Sequence, residues 1–213
     1  MINEIIQSDF KIIRLYATDL WFSKNNIIEE IIKISENDLQ RISQLTTPNK
    51  VLAIVGLKNP ILDILEILEG ITLVLDNIKD PGNLGTIIRI CDWFNIRNII
   101  CSFGTVDVYN PKVIQSSMGS LTRVNLYYEN ILEIIDQLPE DFPIYSASLD
   151  GQSVLGMQLS KNGLLIMGNE SFGISKDIHA LVTSKILIPR YREGIDSLNV
   201  AVATSILLHE FKK

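Results

Sequence analysis

The stretch Asp80-Pro81-Gly82-Asn83-Leu84-Gly85-Thr86-Ile87-Ile88-Arg89 sets a carboxamide, a glycine and a guanidinium where a short apolar run hands over to a helical pattern. A carboxamide donates and accepts hydrogen bonds, and a guanidinium carries a fixed positive charge, so the segment has the equipment of a ligand site. Ahead of it, Ile71-Thr72-Leu73-Val74-Leu75 is apolar and β-branched, bounded by Gly70 and the turn formers Asp76 and Asn77, which predicts a buried strand. After it, Asn83 is expected to cap a helix whose inner face carries Leu84, Ile87, Ile88 and Cys91. Arg89 then lies on the opposite face, one turn above Gly85, where the missing side chain is expected to leave room for a ligand.

Two further segments follow the same plan. Gly163-Leu164-Leu165-Ile166-Met167-Gly168 reads as a strand, followed by Asn169-Glu170-Ser171-Phe172-Gly173 and a helix capped by Ser175. Ser184-Lys185-Ile186-Leu187-Ile188-Pro189 reads as another, followed by a loop with Arg190, Arg192 and Gly194 and then Ser197-Leu198-Asn199-Val200. Each segment puts polar groups just past the carboxyl end of a strand, the edge at which open α/β sheets bind ligands. Asn83, Arg89, Glu170, Ser197 and Asn199 are therefore expected to share one pocket.

Each residue also has a plainer role open to it. Arg89 can pair with Asp92 at helical spacing, Ser197 can be a helix cap alone, Glu170 a solvated charge, and Gly168 and Gly173 turn glycines. Only the joint occurrence of the three segments favours a site.

Taken in order, the three segments resemble the signature motifs of the SpoU (TrmH) family of RNA ribose 2′-O-methyltransferases, within the SPOUT superfamily. The first motif is Asp80-Pro81-Gly82-Asn83-Leu84-Gly85 with Arg89, the second Met167-Gly168-Asn169-Glu170 with Gly173, and the third Ile188-Pro189 with Ser197-Leu198-Asn199-Val200. The resemblance runs from Ile71 to Phe211 and implies methyl transfer from S-adenosylmethionine to a ribose 2′-hydroxyl of rRNA or tRNA. It implies cofactor contacts at Met167, Gly168, Ile188, Ser197 and Leu198, largely through the main chain, and catalytic positions at Arg89, Asn83, Glu170, Ser197 and Asn199. A guanidinium stays protonated, so Arg89 is expected to hold a phosphate beside the target ribose and ease the developing alkoxide, with Glu170 holding Arg89 by a bidentate pair. The resemblance further implies a homodimer and a C-terminal trefoil knot, a threading that chain physics alone would not predict.

The composition frames this reading. The chain has 213 residues, a formal net charge of −6 and 46% hydrophobic residues, enough for one full domain and a smaller one. An acidic chain argues against nucleic-acid binding through a broad basic surface. Arg89, Lys112, Arg123, Arg190 and Arg192 nevertheless attend the motifs, which predicts a local basic mouth on an acidic body. Cys91 and Cys101 have no Cys-x-x-Cys spacing, and the two histidines, His179 and His209, lie far from the motifs in sequence, so no metal is expected. No apolar run approaches the roughly 20 residues that span a bilayer, and no signal-peptide pattern opens the chain, from which a cytoplasmic protein is expected.

The expected architecture is α/β: a parallel sheet covered by helices on both faces from residue 71 to 213, after a connector at 59–70 and a partial small α/β substrate-binding domain at 1–58. In that first part, strands are expected at 12–16 and 51–57 and helices at 27–34 and 38–45; a short helix follows at 61–68. The part resembles the later half of the ribosomal-protein-like domain with which family members grip RNA, as if shortened at the front. Strands are further expected at 98–101, 143–147, 164–167 and 186–188. Two other classes compete: a non-catalytic RNA-binding or ribosome-assembly protein that keeps the fold, and a nucleotide-binding Rossmann enzyme. The second lacks a Gly-x-Gly-x-x-Gly after its first strand.

Overall fold

The computed structural model describes residues 1–24, 31–192, 194 and 197–213. The chain divides into two compact units, Met1–Asn59 and Pro60–Lys213.

The first unit holds α1 (Ile2–Ile6), β1 (Ile12–Ala17), α2 (Asp19–Phe22), β2 (Ile31–Lys33), α3 (Glu36–Ile42) and β3 (Val51–Val55). Its sheet has the order β2-β1-β3, β1 running parallel to β2 and antiparallel to β3. Ile31–Lys33 is thus a strand where a helix over 27–34 was expected, and residues 27–30 lie outside the described residues. Two consecutive β-branched residues there suit pairing with Leu15 and Tyr16 better than a helical turn. The expected second helix starts at Glu36, not at Asp38, because Ser35 caps it by accepting from the Asp38 N–H.

The second unit contains α4 (Ile64–Leu68), β4 (Ile71–Leu75), α5 (Pro81–Trp93), β5 (Asn98–Cys101), α6 (Pro111–Ser117) and β6 (Asn125–Tyr128). It continues through α7 (Ile131–Asp136), β7 (Ile144–Ser153), β8 (Gly163–Met167), α8 (Lys176–His179), β9 (Ser184–Leu187) and α9 (Val200–Phe211). The strands form one sheet in the order β6-β5-β4-β8-β7-β9, with every pairing parallel.

Side chains alternate between two cores, as a sheet buried on both faces requires. Leu73, Leu75, Leu165 and Met167 join the first core, and Val74, Leu164 and Ile166 the second. α5 covers the first face with Leu84, Ile87, Ile88 and Cys91, beside α9 with Val200, Ala201, Leu207 and Leu208. Ile67 of α4, Ile131 and Ile134 of α7 and Ile178 of α8 close the second. Burial drives both Cys91 and Cys101 thiols well above their ordinary range, so both behave as small core hydrophobes.

α5 is bounded by local chemistry. Asp80, not Asn83, is its cap: the Asp80 carboxylate accepts from the Asn83 N–H at 2.8 Å, and Pro81 takes the first helical position, where no N–H is needed. At the other end Asn95 adopts a left-handed φ of 54°. The Ile96 N–H reaches the Cys91 carbonyl at 2.8 Å and the Asn95 N–H the Asp92 carbonyl at 3.1 Å, which is a Schellman closure with asparagine in the usual place of glycine.

Candidate active site

β4 leads into α5 on one face of the sheet and its neighbour β8 into α8 on the other, so their carboxyl ends form the topological switch point at which an α/β sheet ordinarily takes its ligand. Here the chain fills that crevice itself. Asp76, only 2% exposed, extends the β4–β8 ladder by donating its N–H to the Met167 carbonyl at 2.9 Å. Its carboxylate accepts from the Ser175 N–H and from Asn77 Nδ2, both at 2.7 Å. Asn169 Nδ2 donates to the Asn77 carbonyl at 2.8 Å, and the Asn77 N–H donates to Ser102 Oγ at 2.9 Å. The loops after β4, β5 and β8 are thereby locked to one another. The sequence reading gave Asp76 and Asn77 only as turn formers; an acid directly after five buried strand residues was the signal that a buried carboxylate had backbone donors to satisfy.

Beside this lock, the three motifs meet. Asn199 caps α9, its Oδ1 accepting from the N–H groups of Ala201 at 3.0 Å and Val202 at 3.3 Å. Ser197, the expected cap, lies exposed two residues earlier. With its oxygen committed to the helix, Asn199 can only donate sideways, and its Nδ2 meets Asn83 Oδ1 at 2.9 Å. Asn83 then turns its own Nδ2 to Glu170 Oε1 at 2.5 Å, and a carboxylate can only accept. The directions of the whole chain Asn199 to Asn83 to Glu170 therefore follow from its two ends. Both helices, 12 and 13 residues long, point their amino ends toward it, and their dipoles favour the Glu170 carboxylate there.

Arg89 stands apart from this chain. It lies on the exposed side of α5, six residues or about 9 Å of helix rise beyond Asn83, and pairs with no described residue. The expected Glu170–Arg89 pair is not made, since Glu170 is engaged by Asn83. Nor does Arg89 pair with Asp92. Arg123 takes that carboxylate, with Nε 3.0 Å from both oxygens and one further nitrogen at 2.7 Å. Partial burial raises the Asp92 carboxyl, but the hydrogen bonds from Arg123 and Ser120 and the Arg123 charge outweigh it and hold the group below its usual range. Arg123 is thus a clip onto α5; Arg89, Lys112, Arg190 and Arg192 are exposed as it is, and Lys112 Nζ lies 3.8 Å from an Asp80 oxygen.

The expectation of ligand space at Gly85 changes, and Gly168 takes the turn role open to it. A Cβ on Gly85 would come 2.4 Å from Ser116 Cβ and 2.8 Å from the Val113 carbonyl, so its missing side chain admits α6 and leaves no ligand space. At Gly168 a Cβ would meet the Gly173 and Ile174 backbone at 2.4 to 2.5 Å; the glycine lets the turn that carries Glu170 fold back against the end of β8.

Of the expected cofactor contacts, Met167 packs its side chain in the first core and its carbonyl is taken by Asp76. Ile188 is half-buried, while Leu198 remains 48% exposed just before Asn199. β7 lies between β8 and β9, so its residues level with Gly168 belong to the same edge. Its pairing with β9 shifts between Ala147 and Gln152, and Leu149 there is 68% exposed. The sequence reading missed Leu149, which carries no motif. Among the described residues no cluster of His, Cys, Asp and Glu could hold a metal.

A two-faced parallel sheet with three motif loops meeting between the amino ends of two helices defines a class, the parallel α/β proteins with a polar site at the carboxyl edge of the sheet. Residues 70–209 match the model of the SpoU rRNA Methylase family, and the chain belongs to that family. It is 28% identical over 181 residues to the 23S rRNA (guanosine(2553)-2′-O)-methyltransferase of Bacillus subtilis, covering 84% of this chain and 71% of that protein. Of several other relatives it spans only 52% to 57% of the length. A TrmH-family protein of Porphyromonas gingivalis superimposes with a TM-score of 0.86 at 35% identity, covering 99% of this chain and 86% of its own. The SpoU methyltransferase AviRb of Streptomyces viridochromogenes, solved with the cofactor AdoMet, shares the fold at a TM-score of 0.83 and 23% identity, with 99% and 86% covered.

Proposed function

We propose that this protein transfers a methyl group from S-adenosylmethionine to a ribose 2′-hydroxyl of rRNA or tRNA. The observation that carries the reading is the Asn199–Asn83–Glu170 chain, which joins one residue from each motif through Asn83, on the helix that also bears Arg89, a side chain that pairs with no described residue. A protein kept only for assembly has no use for so constrained a set of polar side chains.

The residues present fit the cofactor. Ile188, Leu198 and Leu149 offer apolar surface at one sheet edge, uncovered by the rest of the chain at Leu198 and Leu149, as an adenine face requires. When bound, S-adenosylmethionine supplies a methyl carbon activated by a sulfonium. Asn83 and Asn199 orient the ribose, Glu170 fixes Asn83, and Ser197 lies free to touch substrate. Arg89 holds the neighbouring phosphate and stabilises negative charge gathering on the 2′-oxygen as its proton passes to solvent water. No metal is assigned a part.

Titration calorimetry with a chelator present should give saturable S-adenosylmethionine binding, and radiolabelled methyl groups should pass to unmodified rRNA or tRNA transcripts. A 2′-O-methyl group blocks alkaline cleavage of the adjoining phosphodiester, so the label should survive in alkali-resistant dinucleotides. Label in alkali-labile mononucleotides, or no cofactor binding by folded protein, contradicts the proposal; binding without transfer favours the assembly protein.

The same reading assigns RNA grip to residues 1–58, and it carries the C-terminal knot. It places the protein in the cytoplasm, consistent with a bacterial rRNA-modifying relative; no helix among the described residues is long and apolar enough to cross a membrane. It also takes the protein as a homodimer, since α9 turns Val202, 49% exposed, away from its own core. Light scattering should give twice the chain mass at micromolar concentration; an active monomer contradicts the dimer.

A further inference from the structure

Phe172 is 91% exposed, the most open phenylalanine among the described residues, ahead of Phe103 at 72% and Phe22 at 42%, while Phe10 and Phe142 are buried. Its exposure is built in. Asn169 Oδ1 accepts from the N–H groups of Ser171 at 2.8 Å and Phe172 at 3.2 Å, and Asn169 and Gly173 exchange both backbone hydrogen bonds at 3.0 and 2.8 Å. Gly173 closes the turn at a φ of 69°, and Gly168 lets it lie flat against the end of β8. The ring is thus carried on a fixed turn from which the Glu170 carboxylate accepts from Asn83.

We infer that Phe172 stacks on a nucleobase next to the target ribose. A phenyl ring has no hydrogen-bonding group, so it gains by contact with a flat apolar face. Every nucleobase has such a face, and aromatic side chains are the ordinary platform for unstacked RNA bases. Phe172 lies two residues from Glu170, at most about 7 Å of chain, which is within reach of the base of a nucleotide whose ribose is at Asn83. The inference rests on the RNA reading above.

Large-subunit rRNA transcribed in vitro, without modifications, serves as the probe, with steady-state methylation and calorimetric cofactor binding measured side by side. Phe172→Ala should raise the KM for RNA about tenfold, the scale of one lost stacked base, with kcat and S-adenosylmethionine affinity unchanged. Phe172→Trp should restore the wild-type KM and Phe172→Leu should not, because the face and not the apolarity is required. In Phe172→Trp the RNA should also quench fluorescence beyond the change seen in the wild-type protein. A KM within twofold of wild type in Phe172→Ala overturns the stack and leaves the RNA reading standing. Loss of cofactor affinity in its place makes the ring a cofactor contact and also overturns it. If the wild-type protein methylates no RNA, both readings fall together.

Discussion

Arg89→Ala is expected to lower methyl transfer to RNA by about a hundredfold or more, the effect of removing one preorganised group that stabilises developing charge. Stability should change by less than about 0.5 kcal/mol, because the side chain lies on the exposed side of α5 and makes no pair with a described residue. Cofactor affinity should hold as well, since the assigned contacts lie in the second and third motifs. Arg89→Lys keeps the charge but loses the planar fork that grips a phosphate at two points, so it should recover little. Arg123, which clips onto the same helix through Asp92, supplies the contrast. It makes three contacts to Asp92 within 3.0 Å, so Arg123→Ala should cost stability before it costs chemistry. Melting curves, calorimetry and single-turnover methylation on the three variants separate these effects. Transfer at near wild-type rate in Arg89→Ala would sink the electrostatic role given to this residue.

Much of the second unit was legible because β4, β5, β8 and β9 are four or five residues long with an apolar centre between turn formers. They were read close to their observed bounds for that reason, whereas β7 runs ten residues and only its apolar first half was expected. β6 was not: Asn125 opens it, tyrosines close it, and as an edge strand it has only β5 for a partner, so its pattern is short and partly polar. The site was legible by residue but not by contact. Asn83, Glu170 and Asn199 were expected together and are together; the partner assignments failed where local capping decides them. Because Asp80 and Asn199 cap α5 and α9, the Asn83 side chain is released for Glu170, and that removes Glu170 from Arg89. Capping competition among Asp, Asn and Ser within three residues turns on backbone geometry that spacing alone does not contain. Gly85 was misread for a related reason: a missing side chain looks the same in sequence whether a ligand or another stretch of chain occupies the space.

The closed switch point yields the last prediction. Asp76→Ala should destabilise the protein by about 2 kcal/mol, since it deletes a buried carboxylate that accepts from the Ser175 N–H and from Asn77 Nδ2. For a chain of this size that is a fall in Tm of roughly 4 to 8 °C. Asp76→Asn should recover only part of it, because an amide offers one acceptor oxygen and turns a donor toward whichever partner it does not serve. Activity should fall further than stability accounts for, as Asp76 and Asn169 together anchor the turn that sets Glu170 against Asn83. That excess should disappear on cooling if it is mere unfolding, and persist well below the melting transition if the turn itself has moved. Asp76→Ala with an unchanged Tm and full activity would show that the crevice is held shut by the rest of the loops, and that the carboxylate is not their anchor.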